Sequence, residues 1–275
     1  MERRRRARAA LIAAAALGLS EGSAGPLSDW SWRQTITPHF HVSHQMPWLP
    51  GGLTMSLERL HRRLRLDLGQ FAPWMAQERI RLVIYRDQKE YLQGKYAPPR
   101  WSNGISLYPE RTVVVYDQKD RKKLLQVISH ETSHLIFESF WADGKATPPS
   151  WINEGLAMLQ ESESSDRAES SDWYRLMADL PRRAFPLAEF VKISPNEDLA
   201  EANEESVATW YIQAHSTIYF LSRKHNRLQF KDFCSRLKEG RELRESLWLA
   251  YRFQSLSDLE GCWKSWLRSE SRRLP

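Results

Sequence analysis

The segment His130-Glu131-Thr132-Ser133-His134 constrains this chain of 275 residues more than any other. At 3.6 residues per turn, a histidine pair spaced i, i+4 on a helix sends both imidazoles from one face and aims two nitrogen ligands at one point. Glu131 follows the first histidine. From there its carboxylate reaches a water held by a metal rather than the metal itself, which is where a general base must stand. The stretch therefore reads as helical from Asp120 to about Phe140, with Leu124, Leu125, Ile128, Leu135 and Ile136 available to face a core.

A catalytic zinc needs a third protein ligand and an open position. Glu154 is the candidate, twenty residues after His134 in Pro149-Ser150-Trp151-Ile152-Asn153-Glu154-Gly155. Pro148 and Pro149 close the preceding segment, and Ser150 can cap a new helix expected over 150–162. Asn153, next to the ligand, is available to order the start of that helix.

Around these motifs the expected fold class is α+β, in two lobes. Residues 35–147 form a mixed β/α lobe that carries the histidines. Thr35 to Ser43 alternates and uses β-formers, which predicts a first strand. His39 and His41 share one side of it and His44 is close by, but a second metal there has no acidic or cysteine partner at a diagnostic spacing. Leu53 to Leu68 has apolar residues at 53, 57, 60, 64 and 68, a helical period. Ile80 to Tyr85 reads as a short apolar strand, and Gly104 to Leu107 with Thr112 to Tyr116 as a hairpin around Pro109. Residues 148–275 form a helical lobe, with helices expected at about 150–162, 172–180, 204–224, 228–239, 241–251 and 256–269 and a polar loop from Glu161 to Ser171. The boundary near Pro148 is a frequent kind of place for a ligand cleft.

The N-terminus predicts export. Arg3, Arg4, Arg5, Arg6 and Arg8 precede an apolar run from Ala9 to Leu19, and the small residues Gly22, Ser23 and Ala24 follow, the layout of a signal peptide over 1–24 with a leader over 25–34. The apolar run is short of the roughly 20 residues that span a membrane, so anchoring arises only if the segment is retained. Forty Lys and Arg against 34 Asp and Glu give a formal charge of +6, but without residues 1–24 the balance is 35 to 32, or +3. Half of the basic excess belongs to the signal, and no dense basic run with interleaved aromatics remains, which argues against a nucleic-acid partner. In an oxidising periplasmic or extracellular setting Cys234 and Cys262 form one disulfide between neighbouring helices or remain separate buried thiols, and both alternatives stay open.

HETSH with WINEG resembles the gluzincin metallopeptidases, in which a helix pair presents His, His and Glu to one zinc. The W-x-N-E-G-x-A form of Trp151 to Ala157 is similar to that of the aminopeptidase-like branch. The segment Trp210 to His215, running on to Leu221 and followed by a helix and LKEGREL, is similar to the peptidase MA-like group of small exported bacterial proteins. The resemblance covers roughly residues 35–270 and implies a zincin-like fold, a zinc ion on His130, His134 and Glu154, and Glu131 as the base that activates the zinc-bound water. It implies a donor to the oxyanion on a helix after the glutamate ligand. Tyr211 is the first candidate and His215, one turn on, the second, with a core or supporting role open for either. Where some gluzincins carry an acidic residue four positions beyond the glutamate ligand, this chain has Met158, so the imidazoles need another orienting partner. In related folds the edge strand holds an extended peptide by backbone pairing, and Thr112 to Tyr116, just ahead of the zinc helix, is the corresponding segment, unless it is an ordinary core strand.

The resulting expectation is a zinc-dependent hydrolase of peptide bonds acting on a peptide or protein substrate. Absence of a legible acidic cluster for a free α-amine favours endopeptidase action. A peptidase-like module that binds metal or peptide without turnover is the alternative, because fold alone does not fix activity. Recognition or cleavage of cell-wall peptides is a third reading that export permits and no residue specifies.

Overall fold

The apolar runs IRLVIY and TVVVY lie side by side inside a five-stranded sheet, as strands buried on both faces should. The structure, a computed structural model, describes residues 32–47, 49–162, 176–177, 180–199 and 201–271. The segment 1–24 expected to be a signal, residues 25–31 of the expected leader, residues 163–171 of the expected polar loop and most of the helix expected over 172–180 lie outside the described residues. The strands are β1 (Arg33–Ile36), β2 (Phe40–His44), β3 (Ile80–Tyr85), β4 (Gly104–Leu107) and β5 (Thr112–Tyr116), in the order β1-β2-β3-β5-β4. β2, β3 and β5 run parallel, with β1 and β4 antiparallel at the two edges. Alternation divides their side chains: Ile80, Leu82, Ile84, Val113 and Val115 enter the main core, while Val83, Tyr85 and Val114 pack with Tyr91 on the other face.

Two expectations about strands are corrected. Thr35 to Ser43 is not one strand but the hairpin of β1 and β2. Pro38 brings no N–H to a ladder, and the chain turns there instead, with the Thr37 hydroxyl accepting from the Phe40 N–H at 3.0 Å. The nearby histidines are thereby separated in purpose. His39 Nδ1 meets Glu58 Oε2 at 2.6 Å and its ring stacks on His61, His41 Nε2 faces Gln34 Oε1 at 3.3 Å, and buried His44 faces the Met46 carbonyl at 3.1 Å. The second correction concerns the edge: β5 is paired on both sides, and β4 carries the open edge beside the site.

The helices are α1 (Leu53–Leu68), α2 (Gln88–Leu92), α3 (Arg121–Trp141), α4 (Ser150–Ser162), α5 (Leu180–Arg183), α6 (Leu187–Phe190), α7 (Pro195–Asp198), α8 (Glu204–Tyr219), α9 (Arg227–Lys238), α10 (Leu243–Tyr251) and α11 (Leu256–Ser271). α8 runs on into a π-helical turn at Phe220–Lys224. The architecture is α+β. α3 lies against β4, β5 and α1 on one side and α4 on the other, and α4 lies between α3 and α8. A Cβ on Gly155 would stand 2.5 Å from the Ala214 carbonyl, so this glycine sets how closely α4 and α8 approach. One continuous core runs from Phe40 on β2 to Leu267 on α11 and takes residues from both halves of the chain. Cys234 is buried and Cys262 exposed, both free, which overturns the disulfide and the pair of buried thiols alike. No described helix is long and apolar enough to cross a membrane.

Candidate metal centre

α3 begins where Asp120 accepts from the N–H groups of Lys122 and Lys123 at 2.7 and 3.3 Å, a cap of about 1 kcal/mol. Between the histidines, Thr132 and Ser133 turn inward. Both are fully buried and return their hydroxyls to the Ile128 and Ser129 carbonyls at 2.6 and 2.7 Å. Small polar residues that satisfy themselves on their own helix let this face pack, and His130, Glu131 and His134 remain only partly buried on the other.

α4 supplies the third group. The Pro149 carbonyl accepts from Ile152 and Asn153, so Pro149 rather than Ser150 occupies the cap position, and Glu154 stands just past the first turn. Glu154 Oε2 lies 3.8 Å from Nε2 of each histidine, and the two Nε2 atoms are 3.1 Å apart. Two ligands at tetrahedral angles on zinc, with bonds of about 2.0–2.1 Å, stand roughly 3.3 Å from each other.

The remaining ring nitrogens decide what these atoms present. His130 Nδ1 lies 3.0 Å from Glu161 Oε2, and His134 Nδ1 lies 3.0 Å from Asn153 Oδ1. Both partners accept, so each Nδ1 donates and each Nε2 is turned to the shared point. With both rings neutral, two lone pairs would face each other at 3.1 Å beside a carboxylate, and either a proton on one Nε2 or a metal ion held by all three groups relieves that repulsion. His130, His134 and Glu154 are the one group of this kind among the described residues, and they fit a divalent metal ion.

The field of the site agrees with that geometry. Burial works against charge on His130, but the Glu161 hydrogen bond and the carboxylates of Glu131, Glu161 and Glu154 outweigh it and raise its pKa to about 9. Carboxylates thus draw positive charge onto the cluster. Glu131 is held above the usual carboxylate range chiefly by burial, offset in part by the two histidines. β4 passes close over it: a Cβ on Gly104 would stand 2.8 Å from Glu131 Cγ.

On α8 the two donor candidates part. Burial and the Glu154 carboxylate both push the Tyr211 phenol up, so it lies in the field of Glu154 and keeps its proton at neutral pH. His215 is buried with Nε2 3.3 Å from Ser162 Oγ, and burial alone lowers it to about 3, so its imidazole is neutral and turned to the end of α4.

No protein-family model matches this chain, and no curated protein matches it.

Three features of the site escaped sequence reading. Glu161, placed there in a polar loop, is the partner of His130; it lies seven residues after Glu154, two helical turns along the same face, and that spacing was the available signal. Asn153 holds His134 rather than merely starting a helix. Glu138, one turn beyond His134, has its carboxyl raised by burial and lies in the field of His134, Glu131 and Glu154. Met158, at the position where an orienting acid was sought, is core.

Proposed function

We propose that this chain is an exported zinc metallopeptidase of zincin-like fold, with gluzincin ligands His130, His134 and Glu154 and with Glu131 as general base. The observation that carries the reading is the convergence of two Nε2 atoms and the Glu154 carboxylate, with Glu131 half-buried beside them. Two imidazoles and one carboxylate, which leave further positions open, are a donor set that suits catalytic zinc. When bound, zinc supplies a Lewis acid that polarises a carbonyl and brings the pKa of water to about 7.

The chain's own residues supply the proton traffic. Glu131 takes a proton from the attacking water as the water oxygen bonds to the carbonyl carbon. As the C–N bond breaks, Glu131 returns that proton to the leaving nitrogen, and a carboxylate made more basic by burial is suited to both duties. Tyr211, protonated beside Glu154, donates a hydrogen bond to the oxyanion. The free edge of β4 pairs with the backbone of an extended peptide and brings it alongside Glu131, where Gly104 allows the close approach.

Metal analysis of the purified protein, with cleavage of a mixed peptide library before and after chelation, tests this reading. One zinc per chain is expected, with cleavage lost on chelation and restored by Zn²⁺. Protein that carries no stoichiometric zinc contradicts the proposal, and zinc without cleavage leaves only a metal-binding module.

A further inference from the structure

Arg63 joins three helices one residue away from the metal centre. Half-buried on α1, it donates from Nη2 to Ser129 Oγ at 2.8 Å and to the Gln160 carbonyl at 3.0 Å. The Ser129 hydroxyl donates to the same carbonyl at 2.8 Å. Ser129 directly precedes His130, and Gln160 directly precedes Glu161. Two adjacent rungs therefore tie α3 to α4: Ser129 to Gln160, and His130 Nδ1 to Glu161 Oε2 at 3.0 Å.

The first rung has a physical cause. The Gln160 carbonyl on α4 accepts from side chains of two other helices, Arg63 on α1 and Ser129 on α3. Ser129 and Gln160 are both fully buried, so the carbonyl needs donors from the protein. A serine hydroxyl and a guanidinium provide them. Asp67, one turn further along α1, accepts from Gln160 Nε2 at 3.5 Å and binds Arg223 and Arg227 at 2.7 and 2.8 Å, so α1 holds both the backbone and the side chain of Gln160. Glu161 directly follows Gln160 on α4, so what holds residue 160 helps set where its carboxylate stands.

We propose that Arg63 is a positioning residue for the metal centre: by bracing the Ser129–Gln160 rung it keeps Glu161 on His130 Nδ1 and so fixes the ring whose Nε2 binds the ion. The inference rests on the reading of His130, His134 and Glu154 as metal ligands. Partners that orient a ligand in this way contribute about ten- to a hundredfold in metal affinity.

The test uses the full chain and Zn²⁺ in competition with a chelator, alongside thermal unfolding of the metal-free protein. Arg63→Met, which keeps the aliphatic stem, is expected to weaken Zn²⁺ binding by about ten- to a hundredfold, with partial recovery in Arg63→Lys and no change in the exposed neighbour Arg62→Met. In a Glu161→Ala background, Arg63→Met is expected to add less than about twofold, because its effect runs through Glu161. A Zn²⁺ affinity of Arg63→Met within about twofold of wild type, or an equal loss in the Glu161→Ala background, overturns the proposal. If Arg63→Met does not fold, Ser129→Ala removes the same rung and is judged by the same two outcomes. A wild-type chain that binds no Zn²⁺ overturns the metal reading itself, a result distinct from a wild type that binds and variants that bind equally well.

Discussion

At the residue scale the site is an excess of negative charge arranged around two imidazoles. His130 shows the consequence, with its pKa raised to about 9 by Glu161 and the neighbouring carboxylates against the opposing effect of burial. A folded value above the ordinary 6.5 means that the charged ring stabilises the metal-free protein fully below pH 6.5, and that this contribution disappears as pH climbs through 9. Melting temperatures of chelated protein are therefore expected to fall between those pH values, and Zn²⁺ affinity to rise over the same window because ion and proton compete for Nε2. A flat melting curve across that range contradicts the assignment. Tyr211 gives a second expectation: Tyr211→Phe removes one donor and is predicted to lower kcat by about 10²–10³ with zinc affinity unchanged. Steady-state kinetics and metal titration check it. His130, Glu131, His134 and Glu154 were legible in the sequence because a fixed helical spacing implies convergence without knowledge of the fold. The roles of Asn153 and Glu161 were not, since each depends on the distance between two helices that sequence does not supply.

At the element scale the two motif helices were the most legible parts, and α4 begins at Ser150, where it is expected to. Strand order was not legible. TVVVY reads equally well as an edge or an interior strand, and only its pairing with β3 on one side and β4 on the other settles the matter. The short helices α6 and α7 span four residues each, too few for a period to show. Gly155 illustrates a constraint that exists only between elements. Gly155→Ala drives a methyl against the Ala214 carbonyl and the Ile218 side chain, with the nearest atom at 2.5 Å, and is expected to cost about 1–3 kcal/mol and to disturb the neighbouring ligand Glu154. Gly261→Ala on α11 meets nothing within 4 Å and is expected to stabilise by up to about 1 kcal/mol through helix propensity. Urea denaturation of the two variants separates close packing from propensity; equal effects contradict the account.

At the scale of the whole molecule the division near Pro148 is a change in the type of secondary structure across one shared core. Leu135, Ile136 and Phe137 from the first half and Trp151, Trp210 and Phe233 from the second belong to the same buried cluster. Unfolding is accordingly expected as a single transition, coincident by circular dichroism and tryptophan fluorescence, and moved upward as a whole by Zn²⁺. Two separated transitions contradict a common core. That core holds α3 and α4 at the separation on which the chemistry depends, with β4 alongside. The most direct measurement of the chemistry is cleavage of a mixed peptide library by wild type and Glu131→Gln, each loaded with one zinc per chain. The account predicts that turnover falls by about 10²–10⁴-fold in Glu131→Gln while zinc stays bound. Equal cleavage by the two proteins, at equal zinc content, contradicts it.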